Sequence, residues 1–146
     1  MSKHANVFFK PDELEHIKQS IVKAEHNTSG EIRVHLEDKC KGDSMERAVR
    51  VFAKLNMHKT KLRNAVLFYL AVSDRKFAIC GDEGIHKAVR DNFWDSIKEH
   101  MQARFKEGKF TEGLCEAVEK AGEQLKTHFP HKRDDVNELS DEISIG

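Results

Sequence analysis

The sequence lacks any long hydrophobic run. Its longest apolar stretch is "AVLFYLAV", Ala65 to Val72, eight residues. That is far too short to span a bilayer, which needs about 20 residues. The first residues, "MSKHANVFFKPDE", carry no apolar signal core and no small-residue cleavage site, so no secretory leader is expected. Net charge is also missing: 25 Lys and Arg balance 25 Asp and Glu. This removes the global electrostatic case for nucleic acid or an anionic membrane as partner. Cysteine is sparse and odd in number, at Cys40, Cys80 and Cys115. No CxxC pair occurs, so neither a disulfide frame nor a zinc knuckle is expected. A reducing cytoplasm is the simplest compartment.

Catalytic signatures are equally scarce. There is no P-loop, no DxD opening of a phosphoaspartyl motif, no Cys-x5-Arg loop and no HExxH. The nine histidines are scattered and read as surface residues, with His86 a neighbour of the acidic turn discussed below. No internal repeat or low-complexity linker interrupts the chain. At 146 residues, 38% apolar and 34% charged, it has the size of one domain with a real core and a heavily charged surface.

The apolar periodicity gives the order α-β-α-β-β-α-α-α. "PDELEHIKQSIVKAEHNT" places Leu14, Ile17, Ile21 and Ala24 on one helical face, with Pro11 in the first turn. "EIRVHLE" alternates: Ile32, Val34 and Leu36 face one side, Glu31, Arg33, His35 and Glu37 the other. It reads as a half-buried strand near a sheet edge. "SMERAVRVFAKLNM" is a helix that Ser44 or Asp43 can cap. "AVLFYLAV" is apolar on both faces, as a central strand should be. "FAIC" returns from it through the "SDRK" turn. Two amphipathic helices follow. Residues 1–130 then form one domain, and "HKRDDVNELSDEISIG", 131–146, reads as a loose polar tail.

Topology gives the stretch "CGDEG" its interest. A strand, a crossover helix and a second strand run parallel, and the hairpin brings the third strand back. Gly81 therefore returns to the end where the first two strands begin. Glu31, Asp82 and Glu83 are expected to converge there, and Asp91 and Asp95 can approach from the next helical segment. Converging carboxylates repel unless a cation neutralises them, and Ca²⁺ and Mg²⁺ take carboxylate and carbonyl oxygens. The plainer alternative makes Asp82 a helix N-cap and Glu83 a first-turn acid. The opposite end gathers Glu37, Asp38 and Asp43 near Asp74 and Arg75. Arg75 there either pairs with an acid, holds an oxyanion, or sits in a solvated turn.

"SGEIRVHLE", "RNAVLFYLAVSDRKFAICGDEGIHKAV" and "FKEGKFTEGLCEAVEKAGEQL" together resemble the TPM domain. That family includes a thylakoid-lumen acidic phosphatase, a photosystem II repair factor and many bacterial proteins. The resemblance runs from about Pro11 to about Phe129. It is carried by the "DRK" turn, the glycine-acid-glycine turn and the Phe110, Gly113, Leu114 opening of the last helix. It implies a three-layer α/β/α sandwich around a small mixed sheet, and Ca²⁺ or Mg²⁺ at a loop-formed acidic site. Residue by residue, the strand-opening acid falls on Glu31, the acids of the glycine-rich turn on Asp82 and Glu83, and the hairpin arginine on Arg75. Many members carry a leader and a membrane segment or glycine-rich tail, absent here. Their longer G-x-G turn is shortened to "CGDEG", which weighs against carrying over the phosphatase activity. The expected function is divalent-cation binding with an interaction or maintenance role. A weak metal-dependent phosphomonoesterase is the alternative. The expected partners are the ion and a protein the sequence does not name, with no nucleic acid, no membrane insertion and a monomeric chain.

Overall fold

A computed structural model describes residues 8–26, 28–90, 92–131 and 138–146. The expectation for Asp91 lies outside the described residues. Among the described residues five α-helices and four strands follow one another, with a 3-10 turn at Met57–Lys59 before the second strand: α1 (Pro11–Glu25), β1 (Glu31–Glu37), α2 (Ser44–Lys54), β2 (Ala65–Ala71), β3 (Lys76–Gly81), α3 (Glu83–Ala88), α4 (Asp95–Lys106), α5 (Phe110–His128) and β4 (Ser144–Ile145). The sheet order is β3-β2-β1-β4. β1 and β2 run parallel with Glu31 opposite Ala65, and β3 returns antiparallel with Gly81 opposite Val66. The expected three-layer α/β/α sandwich with a mixed sheet is what forms.

The layers follow from side-chain alternation. Ile32, Val34 and Leu36 of β1, with Val66, Phe68 and Leu70 of β2, pack against α1, α4 and α5 through Ile17, Ile21, Ile97, Met101, Leu114 and Val118. The other face of β2, Ala65, Leu67, Tyr69 and Ala71, packs on Ala48, Val51 and Phe52 of α2. Every residue of β2 is buried, as its unbroken apolar run requires. α1 and α5 approach closely because residue 122 is glycine. A Cβ there would lie 2.7 Å from Ala24 Cβ and 2.8 Å from the Ala24 carbonyl oxygen.

Two expectations change. β1 is not a half-exposed edge strand: of its seven residues only Arg33 escapes full burial. The cause is the chain end. Residues 138–146 do not hang loose but lie along the outer side of β1. β4 pairs with it in parallel, His35 opposite Ser144 and Leu36 opposite Ile145. Ile143 and Ile145 pack on one core and Leu139 on the other. Gly146 N–H donates to the Leu36 carbonyl. We call residues 138–146 the strap.

Candidate functional site

Gly81 does return to the end of the sheet where β1 and β2 begin. Asp82 N–H donates to the Ala65 carbonyl at 3.0 Å. The Asp82 side chain is buried and doubly engaged. It caps α3 by accepting from Glu83 N–H at 2.8 Å, and Arg63 grips both its oxygens through Nε and Nη2 at 2.7 and 2.9 Å. Arg63 holds a left-handed backbone conformation, φ 52°, which turns its side chain back over the corner. Gly84 serves close approach: a Cβ on it would meet the Leu62 and Arg63 carbonyl oxygens at 2.3 and 2.5 Å. Glu83 points to solvent, with Arg63 at 3.7 Å and Lys87 at 3.9 Å. His86 and Asp95 are exposed. Asp82 and Glu83 thus sit together around Arg63. Glu31 stands apart from them across β2, two strand spacings or about 10 Å along the sheet.

Glu31 instead faces the strap. Its Oε1 accepts the backbone N–H groups of Glu138 and of Leu139, the latter at 2.8 Å. The residue is only 4% exposed. Burial pushes its carboxyl up to about 7, against the pull of the two amide donors and helped by the nearby Glu138 and Asp141. Glu25, the last residue of α1, comes to the same place by accepting from Ile32 N–H at 2.9 Å. Burial is again the first cause of a rise, here to about 10, followed by a carboxyl-to-carboxyl hydrogen bond with Asp141 of the strap. Such a bond requires a proton between the two acids. Asp141 Oδ1 is buried, and no hydrogen-bond donor reaches it among the described residues. Three acids from α1, β1 and the strap therefore crowd one edge. As they stand, no three Asp, Glu, His or Cys side chains among the described residues are grouped to hold a metal ion.

The TPM domain family model matches residues 2–124. The chain belongs to the TPM domain family. Its fold is similar to the NMR structure of the BA42 protein from the psychrophilic bacterium Bizionia argentinensis. That match has 48% identity and a TM-score of 0.90, covering 95% of this chain and 96% of that one. The N-terminal domain of cg2496 from Corynebacterium glutamicum shares the fold at 11% identity and a TM-score of 0.62, over 90% of this chain and 77% of that one. No curated protein matches. Among the described residues of this TPM domain, no helix is long and apolar enough to cross a membrane.

Further along β1 this TPM domain has a second polar set that periodicity did not disclose. Glu37 is held by Arg47 of α2 through two bonds, 2.8 and 2.9 Å, and by the Tyr69 hydroxyl. Burial alone would raise the Glu37 carboxyl, but Arg47, Tyr69 and His35 outweigh it and pull it down to about 2. His35 is 6% exposed, and burial lowers its pKa. A neutral imidazole fits both contacts: Nε2–H donates to Glu37 at 3.2 Å, and Nδ1 accepts from the Ser144 hydroxyl at 2.8 Å. This set clips β4 onto β1. The expectation that the histidines lie on the surface fails for His35, because the strap covers it. At the hairpin, Arg75 pairs with no first-strand acid. Asp74 accepts from Cys40 N–H at 2.7 Å, Asp38 from Ser73, and Asp43 caps α2. Cys80 is half-buried, and burial pushes its thiol up to about 11, as suits a packing residue.

Proposed function

We propose that this TPM domain binds a divalent cation, Ca²⁺ or Mg²⁺, at the Glu31 edge, in the service of interaction with or maintenance of another protein. Glu31 keeps the role expected from its place at the start of β1. Glu25 and Asp141 take the places given in the sequence reading to Asp82 and Glu83. The observation that carries the proposal is the buried Asp141 Oδ1, which no donor reaches among the described residues, beside two carboxyls that burial drives toward their neutral forms. A buried acceptor with no donor is costly, and a hard cation removes that cost while letting its neighbours ionise. The donor set suits such an ion because it is all oxygen. Asp82 is a poorer ligand, with both oxygens engaged by Arg63. Binding rather than turnover is favoured because Asp82, the acid that could serve as a nucleophile, is held through both oxygens by Arg63.

An ion on Glu31 competes with the Glu138 and Leu139 amides, so occupancy and strap docking are linked. The test is a Ca²⁺ and Mg²⁺ titration followed by backbone amide shifts. Glu31, Ile32 and Leu139 are expected to move together and saturate, and Glu31→Gln to abolish the response. Movement confined to Gly81–Gly84 would return the ion to the turn. Silence at millimolar ion would end the cation reading. Phosphate-ester turnover that disappears in Asp82→Asn would replace it with the hydrolase alternative.

A further inference from the structure

At the other end of the sheet, β2, the β2–β3 hairpin and the α4–α5 junction enclose an open cleft of about 190 Å³. Its walls are phenylalanine. Phe77 meets Phe105 edge-on at 5.6 Å, Phe105 lies tilted on Phe110 at 5.3 Å, and Phe8 meets Phe110 edge-on at 5.1 Å. Leu70 of β2 and Val72 just after it also line the cleft. Arg75 and Lys106 line the same cleft, and both are exposed. Among the described residues neither side chain forms an ion pair or a hydrogen bond. The acids adjacent in sequence are turned elsewhere: Asp74 to the Cys40 amide at 2.7 Å, Glu107 to Arg104 at 3.7 Å and Lys109 at 3.8 Å. Arg75 holds φ 52°, a left-handed conformation that a non-glycine residue adopts at some cost. The hairpin keeps an arginine where asparagine or glycine would fit the backbone better.

We propose that this cleft binds a small monocarboxylate with an apolar tail. An apolar cavity of about 150 Å³ accommodates a benzene ring, so this one takes a phenyl group or a chain of about six carbons. Aromatic walls with a few placed polar groups are the usual make-up of a small-molecule site. Two cations at the rim, with no acid partner among the described residues, select an anionic head, and the planar guanidinium of Arg75 matches a carboxylate in two-point contact. The site is at the far end of the strands from Glu31 and does not depend on the cation proposal.

The probe is 3-phenylpropionate, titrated into the full chain and followed by amide shifts, with 3-phenylpropanol and 3-phenylpropylamine as matched tails. The acid is expected to move Leu70, Phe77, Phe105 and Phe110 and to bind about tenfold more tightly than the alcohol. Arg75→Asn is expected to weaken the acid about five- to tenfold and leave the alcohol unchanged, while Arg75→Lys, which keeps the charge but loses the two-point contact, falls between Asn and the native chain. Asparagine suits φ 52°, so loss of binding in that variant is not loss of folding, and its melting temperature checks this. Equal binding of acid, alcohol and amine overturns the anion assignment. Absence of shifts in the cleft up to about 10 mM acid, or shifts elsewhere, overturns the site.

Discussion

Glu25→Gln should stabilise the protein, and the gain should grow with pH. Glu25 has an ordinary carboxyl value of 4.5 when unfolded and about 10 in place. Between those values the folded chain binds a proton that the unfolded chain has released. Stability therefore falls as pH rises through that window, by about 1.4 kcal/mol per pH unit. From 4.5 to neutrality is about 2.5 pH units, which gives roughly 3 kcal/mol at pH 7 as an upper value. Partial exposure of Glu25 brings this toward 2 kcal/mol, in round figures. Glutamine keeps an oxygen for the Ile32 amide, offers N–H to Asp141, and takes up no proton. For a chain of this size the melting temperature should rise about 5–10 °C at pH 7. The assay is thermal unfolding of both proteins in chelator at pH 5.5, 7 and 8.5. The difference should widen steadily across the series, and added Ca²⁺ should narrow it by rescuing the native carboxyls. A variant less stable than the native chain at pH 8.5, or a difference flat with pH, would refute the reasoning.

Glu37→Gln should destabilise by about 2–3 kcal/mol in urea unfolding, because it leaves the partly exposed Arg47 facing a neutral, buried partner. The native Glu37 contribution, present above 4.5, should be lost as pH falls toward about 2. His35→Gln should flatten the acid limb just below pH 6.5. There the buried imidazole resists a proton that the unfolded chain accepts, faced by Glu37, Ser144, Arg47 and Lys54. Gly122→Ala should cost about 1–3 kcal/mol by thermal melting, since the new methyl meets α1 at Ala24. Asp82→Asn should leave cation-induced shifts at Glu31 unchanged.

Much of the fold was legible because its elements are strongly periodic. The all-apolar run of β2 and the "SDRK" turn were enough to deduce the parallel pair, the hairpin and the return of Gly81 to the start of β1. What escaped notice was local signal too weak to stand alone. Ile143 and Ile145 alternate correctly for a strand, but in a two-residue β4 embedded in acids. Without that strand, the polar face of β1 reads as solvent-facing, and His35 and Glu37 pass for surface. Glu25 sits at a helix end where an acid carries no pattern, and only the turn into β1 brings it beside Glu31. Arg63 was overlooked because its grip on Asp82 depends on a left-handed backbone that no neighbouring glycine announces.

The late arrival of β4 bears on how the chain survives its own synthesis. Ser144 meets His35 across a separation of 109 residues, so the outer edge of β1 waits for all of them before it is sealed. During elongation, at about 5–20 residues per second, that edge offers unpaired amides to any passing chain. A strand of Val and Ile alone would nucleate aggregates at this stage. β1 instead carries Glu31, Arg33, His35 and Glu37 on one face, and charges on a waiting edge discourage foreign pairing. The residues that later clip the strap in place thus act earlier as gatekeepers, keeping the nascent edge soluble until β4 closes it.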